Sequence, residues 1–496
     1  MKKFLKKSLS LMLCLLMLLS FATVGFAEDE SESKVTRLSV CVNGDTASSR
    51  GFCWYTQKET ETKICVYKNG QDVTDSLTVS DVSCSEWKGS YMHKLTLSGL
   101  EGGTLYTYKV GNGETWSETG SFVTDNGDSN VNFIAIADVQ ASSKENFEKG
   151  AATLSAALEM MPNADFVANL GDFTNDSTNE EWNLYDEVFS SVNKDMTLVP
   201  VAGNHDGLGV WNWFNNMFCL DTSESVQTLN GVNYSYDYGN AHFAVLNTND
   251  MLSVSVTQLE WLQNDLNSTD KDWKIVLMHK SPYTLGKDGK WPDALYLQKS
   301  LTKVLDDCGA DIVFSGHDHM YLRTKTLKNN ALDENGTTYV LSGTAGSKRY
   351  EIRSFCADTY LKTEFIDALT VQKEGYANYW NGSDWNNTKD TNVGGCFNLI
   401  SIDGGTLTLN SYILSDEKSE NGEDVITNID TLTLTKETGK NEITFTGDNT
   451  TSSGEYIKTI GKSCTELGKY TIFEWLPKFI SMLPKLLKVY FTEGTF

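Results

Sequence analysis

Apolar and polar residues alternate in short runs from Val35 to Thr124, and the pattern changes character at Asn132. The first stretch holds segments such as Leu38-Ser-Val-Cys-Val, Gly51-Phe-Cys-Trp-Tyr-Thr, Ile64-Cys-Val-Tyr and Leu105-Tyr-Thr-Tyr-Lys-Val, separated by Gly, Asn and Asp. Successive side chains of a strand point to opposite faces, so a period of two predicts strands with two distinct faces. Turn residues at spacings of about ten predict that these strands form an antiparallel β-sandwich over 35–125. No catalytic constellation lies in this part.

After Asn132 the strands become continuously apolar: Phe133-Ile-Ala-Ile-Ala, Phe166-Val-Ala-Asn-Leu, Leu198-Val-Pro-Val-Ala, Ala241-His-Phe-Ala-Val-Leu, Lys274-Ile-Val-Leu-Met and Asp311-Ile-Val-Phe-Ser. Stretches of helical period, 144–160, 257–266 and 294–308, separate several of them. Strands buried on both faces and alternating with helices predict a layered α/β domain, here over 131–436. Ligand sites in such sheets gather at the carboxyl ends of strands, where this chain places short polar segments. Beyond Gly343 β-like patterning returns. Tyr376, Tyr379, Trp380 and Trp385 interrupt it in a Gly/Asn-rich insertion between Cys356 and Cys396, either lining a site or closing a disulfide-bounded surface loop. Residues 437–496 form a tail in which apolar residues and lysines interleave from Phe473 to Phe491, broken by Pro477 and Pro484. It reads either as an interfacial segment touching a membrane or cell surface, or as one packed on the protein itself.

Composition adds a compartment and removes a partner. Lys2, Lys3, Lys6 and Lys7, the apolar run Leu11–Leu19 and the small-residue exit before Glu28 have the order of a secretory signal peptide over 1–27, cut after Ala27. The chain is therefore expected outside the cell, secreted or at the cell surface. Its net charge of −25 excludes sequence-independent binding of nucleic acid, which depends on clustered Lys and Arg. The same charge repels a phosphate, so local cations must attract one. Of ten cysteines, Cys14 leaves with the signal and Cys41, Cys53, Cys65 and Cys84 crowd into the sandwich. Outside the cell these are expected to pair, although an odd total leaves at least one free.

Five polar segments follow the apolar strands: Ala137-Asp138-Val-Gln140, Gly171-Asp172-Phe-Thr-Asn175, Gly203-Asn204-His205-Asp206, Met278-His279 and Gly316-His317-Asp-His319. They contain four of the chain's six histidines. All five are expected on loops at one edge of one sheet. Two metal ions held close together repel, so a carboxylate must bridge them and others must offset their charge. Imidazole suits Zn and Fe, and carboxylate or amide oxygen suits harder ions such as Mn. The histidines, carboxylates and amides of these five segments together thus point to a metal site.

In the order, spacing and wording of these segments, including Gly316-His-Asp-His-Met-Tyr-Leu-Arg-Thr324, the chain resembles the calcineurin-like metallophosphoesterases. Within them it resembles the purple acid phosphatase branch, whose catalytic domain also follows a β-sandwich, here similar to a fibronectin type III module. The likeness runs from Val35 to Lys436. It implies a layered α/β/β/α catalytic sandwich behind an all-β sandwich of immunoglobulin type. It further implies that Asp138 and His319 bind one metal, that Asn204, His279 and His317 bind the other, and that Asp172 bridges. A metal-bound hydroxide would attack a small phosphate ester, with His205 as acid for the leaving alkoxide or as donor to the phosphoryl oxygens. Asp206 either orients His205 or is an ordinary loop carboxylate.

Two positions depart from that branch. Its colour-giving tyrosine, three residues after the bridging aspartate, is Asn175 here, and the residue two after Asp138 is Gln140. Both changes leave the first metal poorer in anionic ligands and point to exchangeable Mn, Fe(II), Zn or Ca. His93 reads as a surface or packed histidine, His242 as a structural or supporting residue, and Asp237 and Asp250 as turn residues. Phosphomonoester hydrolysis is the expected activity. Phosphodiester hydrolysis at the same site, or an idle domain on a surface-binding protein, are the alternatives.

Overall fold

The computed structural model describes residues 34–437, except 207–212, 227, 229–230, 250–252, 287–291, 351–362, 374–375, 381–384 and 387–392. The leader, Asp250, Cys356, the side chains of Trp380 and Trp385, and the tail from 438 onward lie outside the described residues.

Two large sheets face one another. The larger has ten strands in the order Ile426–Thr435, Thr406–Ser415, Gly394–Asp403, Asn130–Ile136, Phe166–Asn169, Thr197–Pro200, Thr36–Cys41, Ser49–Thr56, Ser90–Ser98 and Thr78–Trp87. The second has nine and is centred on Ala241–Val245, Trp273–Lys280, Ile312–Gly316 and Thr338–Ser342, which run parallel. The apolar strands explain why both faces are covered. Phe133 and Ala135 point into the core between the sheets, together with Phe166, Phe243, Ile275 and Phe314. Ile134 and Ile136 point the other way, onto Phe147 and Leu154 of the Lys144–Met160 helix. In the second sheet Val276 and Met278 face Leu262 and Leu301 of the helices Val256–Ser268 and Pro292–Cys308. This is the expected α/β/β/α layering behind a strand-rich N-terminal part.

The larger sheet does not stop at the catalytic part. Thr36–Cys41 pairs in parallel with Thr197–Pro200, Val40 opposite Thr197 and Cys41 opposite Leu198, so the N-terminal and catalytic parts share one sheet. The Ser49–Thr56 strand shows why this is possible, because it is apolar on both faces. Phe52 and Trp54 enter the core of the N-terminal sandwich, while Cys53 and Tyr55 enter the helix-side core with Trp182 and Trp213. Each fully buried aromatic contributes about 2–3 kcal/mol, which makes this junction a packed core and not a linker.

Two expectations are corrected and one helix is added. The seven described cysteines, Cys41, Cys53, Cys65 and Cys84 included, are all free thiols. Asp237 is not in a turn but in the Tyr234–Tyr238 strand, directly opposite His242. A helix over Asn179–Asn193, absent from the apolar pattern, is announced by a capping box: the Thr178 hydroxyl accepts from the Glu181 amide at 3.1 Å, and the Glu181 carboxylate accepts from the Thr178 amide at 3.3 Å.

Candidate metal centre

Three neighbouring parallel strands of the larger sheet deliver half of the site. Asn130–Ile136 ends at Ala137-Asp138, Phe166–Asn169 at Leu170-Gly171-Asp172, and Thr197–Pro200 leads into Gly203-Asn204-His205. The second sheet delivers the rest. His279 is the penultimate residue of the Trp273–Lys280 strand, and Ile312–Gly316 runs straight into His317 and His319. The five segments therefore come from two facing sheets, not one, and His279 sits on a strand and not a loop. An apolar strand reads alike in either sheet, and so its text could not make that distinction.

The loops are wound tightly. Asp138 (φ 55°), Gln140 (37°), Asp172 (57°) and His317 (77°) all adopt left-handed backbone, which costs a non-glycine residue on the order of 1 kcal/mol or more. Main-chain bonds hold them there: the Asp138 amide donates to Gly171 O at 3.0 Å, and the Gln140 amide to Asp172 O at 2.8 Å. Gly171 (φ 101°) is required on two counts, since a Cβ there would also lie 2.6 Å from His279 Nδ1.

The imidazoles are oriented by carbonyls. His279 Nδ1 donates to Leu170 O at 2.8 Å, His319 Nδ1 to Lys348 O at 3.0 Å, and His205 Nδ1 to Asn175 O. A carbonyl can only accept, so each of these rings carries its proton on Nδ1 and leaves Nε2 for the site, the arrangement that metal-binding histidines use. Tyr350 also stacks on the His319 ring at 4.3 Å between centroids.

Around these nitrogens the oxygens fall into two groups. His319 Nε2 lies 3.6 Å from Asp138 Oδ1, and Asp138 takes the His317 amide on both oxygens at 3.0 and 2.9 Å. His279 Nε2 lies 3.1 Å from Asn204 Oδ1 and 3.3 Å from Asp172 Oδ2. One ligand atom from each of Asp172, His279 and His317 falls within a 4.8 Å span. Asp138, Asp172 and His279 are fully buried. Burial disfavours charge on Asp172, yet His279, His205 and His317 hold its carboxyl far below the ordinary range. Burial likewise opposes charge on His279, but Asp172 raises its pKa to about 9. Burial drives the Asp138 carboxyl upward and the His317 ring downward. Asp172 and His279 thus each favour the charged form of the other.

The donor set fits a metal site. It combines imidazole nitrogen with carboxylate and amide oxygen, and Asp172, His279 and His317 form its tightest cluster. Gln140 Oε1 is buried nearby and has no hydrogen-bond partner among the described residues, as suits a group that serves a metal water or a phosphate.

Asp206 does not touch the His205 ring. Its carboxylate takes the amides of Asp172, Phe173 and Gly203, each at 2.8 Å, and clamps the loop of Asp172 to the loop of Asn204. Burial and then the Asp172 charge push its pKa up to about 7; a cation on Asp172 removes the second of these pressures. Asn175 is turned from the cluster: its Oδ1 accepts from Lys348 Nζ and its Nδ2 donates to Asp176 Oδ2 at 2.8 Å. His93 and His242 stay apart from the site, His93 stacked on Trp54 and His242 between Asp237 and Asp265.

Asn249, Lys348 and Tyr350 were not picked out from the sequence. Asn249 Nδ2 donates to Ala202 O and Gly203 O at 2.9 and 3.1 Å, supporting the Asn204 loop. The polar run Asn247-Thr-Asn after an apolar strand was the available signal. Lys348 acts partly through its main-chain carbonyl, which leaves no mark in a sequence.

Residues 131–321 match the family described as calcineurin-like phosphoesterase. This stretch is thus a calcineurin-like phosphoesterase domain, of a class of metal-dependent phosphoester hydrolases. Residues 35–124 match the family described as purple acid phosphatase, N-terminal domain. The chain is similar to purple acid phosphatase 22 of Arabidopsis thaliana, 24% identical over 324 residues that cover 62% of this chain and 71% of the relative. To purple acid phosphatase 15 of the same plant it is 25% identical over 175 residues, 34% of this chain and 32% of that one. In fold it is similar to the solved structure titled "Structure of PhoD", with a TM-score of 0.57 and 12% identity over 82% of this chain and 91% of that one.

Proposed function

We propose that the protein is an exported phosphomonoesterase that works with two metal ions held by Asp138, Asp172, Asn204, His279, His317 and His319. The observation that supports this reading is the cluster of Asp172, His279 and His317, in which one Asp172 oxygen lies 3.3 Å from His279 Nε2 and the other accepts the His205 amide at 2.8 Å. Ions bound there would make a water acidic enough to attack phosphorus and would neutralise the phosphoryl oxygens. The chain's own residues do the rest. Asp138 and Asp172, buried and tightly hydrogen-bonded, fix where the ions sit. His205, held through Nδ1–H by Asn175 O, would face the leaving oxygen with Nε2 and, as the imidazolium, would give it the Nε2 proton and be left neutral. Asn175, engaged with Lys348 and Asp176, supplies no phenolate, which favours exchangeable divalent ions over ferric iron. The basic and apolar order of residues 1–27 supports export.

The test is turnover of p-nitrophenyl phosphate against its bis ester by the metal-loaded chain. Faster hydrolysis of the monoester is expected. A preference above about tenfold for the diester overturns the monoester assignment, and no turnover of either overturns the enzymatic reading.

A further inference from the structure

Lys348 touches both halves of the site through different atoms. Its main-chain oxygen accepts the Nδ1 proton of His319 at 3.0 Å, and its ammonium donates to Asn175 Oδ1. The Asn175 main-chain oxygen in turn accepts the Nδ1 proton of His205. One lysine therefore links the ring of a candidate metal ligand to the ring of the candidate acid, through a residue that is itself no ligand.

The surroundings make this link stiff. The segment carrying Lys348 lies directly on the loop of Asp138: the Ala345 amide donates to Ala137 O at 2.8 Å, and the Thr344 hydroxyl to Asp138 O at 2.8 Å. On the other side, Glu181 takes the Asp176 amide at 2.8 Å; burial raises its carboxyl, and the Asp176 and Thr178 amides, with the Lys348 charge last, oppose that rise. The Ser177 hydroxyl donates to His205 O at 2.6 Å. The Asn175–Ser177 turn is thus fastened at Glu181, at His205 and, through the ammonium, at Lys348.

We infer that Lys348 is a positioning residue for His205: its ammonium fixes the Asn175 turn so that the Asn175 carbonyl holds the His205 ring in one tautomer, with Nε2 turned to the leaving group. The inference rests on the proposed role of His205. A lysine serving only to attract phosphate, or only to stabilise the fold, would not act through that ring.

The test pairs a spectroscopic readout with a double-mutant cycle on the full chain. Lys348→Met removes the ammonium and keeps the carbonyl that holds His319. In the ¹⁵N-histidine spectrum of metal-free protein, with His205 assigned by His205→Ala, the ring should change from a fixed Nδ1–H tautomer to an averaged pair. Lys348→Arg should keep the fixed tautomer. In the loaded enzyme Lys348→Met should lower kcat roughly tenfold or more, within the range of a misplaced acid, with KM and metal content unchanged. In a His205→Ala background the same change should cost less than about twofold, because the two residues act as one unit. Asn175→Ala, which also breaks the link, should repeat these results and serves should Lys348→Met fail to fold. An unaltered His205 tautomer in either variant overturns the inference whether or not the protein is a phosphatase. So does an equal kcat loss with and without His205, or a rise in KM alone. Absence of wild-type turnover, by contrast, strikes only the phosphatase reading and leaves the tautomer result to stand.

Discussion

The Asp206 carboxylate accepts the main-chain amide of Asp172 at 2.8 Å, so an acid outside the candidate ligand set fixes a carboxylate of the cluster with His279 and His317. Its other contacts, to Phe173 and Gly203, make it the clamp between two catalytic loops. Asp206→Ala leaves three buried amides without an acceptor. We expect a stability loss of roughly 3 kcal/mol and weaker metal retention, read by urea unfolding and by metal titration. Unchanged values in both would show that the clamp carries no energy.

For His205 the expected signature depends on the leaving group. His205→Ala should keep its metal content and lose roughly 10²–10⁴-fold in turnover on an alkyl phosphate, but much less on p-nitrophenyl phosphate, whose leaving oxygen needs little help from an acid. A uniform loss across both esters would contradict the acid role and favour simple contact with the phosphoryl oxygens.

Gly203, like Gly171, is a position where the site tolerates no side chain. A Cβ there would collide with the amide and carboxylate of Asp172. Gly203→Ala should therefore displace Asp172 and lower metal occupancy while the two sheets remain intact. Mass spectrometry of bound metal and circular dichroism, run together, check this. Full occupancy in the variant would mean that the loop has more room than the structure gives it.

The two histidines outside the site set opposite limits on stability against pH. Burial alone would lower the pKa of His242, but Asp237 at 2.7 Å and Asp265 at 2.9 Å raise it to about 9 from 6.5. Its contribution, on the order of 3 kcal/mol, is complete below pH 6.5 and is lost as pH rises through about 9. His93 is the reverse case, since burial lowers its pKa to about 4. Its neutral ring favours the fold above pH 6.5, and that advantage disappears as pH falls towards 4. His242→Asn should flatten the alkaline limb of the stability curve and His93→Gln the acid limb, as measured by urea unfolding across the pH range.

The legible parts of this molecule are those in which side-chain chemistry and local period agree. The Lys144–Met160 helix and the strands ending at Asp138, Asp172 and His317 could be read because both faces are apolar and a polar segment follows. The six candidate ligands were read from residue types that only a metal site needs together. What escaped depends on pairing between distant segments. Thr36–Cys41 joining Thr197–Pro200 could not be seen, because a strand's text does not name its partner. The division of the ligands between two sheets was hidden for the same reason. The roles of Asp206 and Lys348 lie in bonds to main-chain atoms, which every residue offers alike. The cysteines misled because spacing says nothing of whether two thiols point at one another.

The central claim is that Asp172 joins two metal sites. The measurement that tests it most directly is metal content by mass spectrometry of wild type and Asp172→Ala after repletion with Mn, Fe, Zn and Ca. About two equivalents in the wild type, and the loss of at least one in a variant that keeps its fold, is the expected result. Retention of both ions by Asp172→Ala, or fewer than about half an equivalent in the wild type, would contradict it.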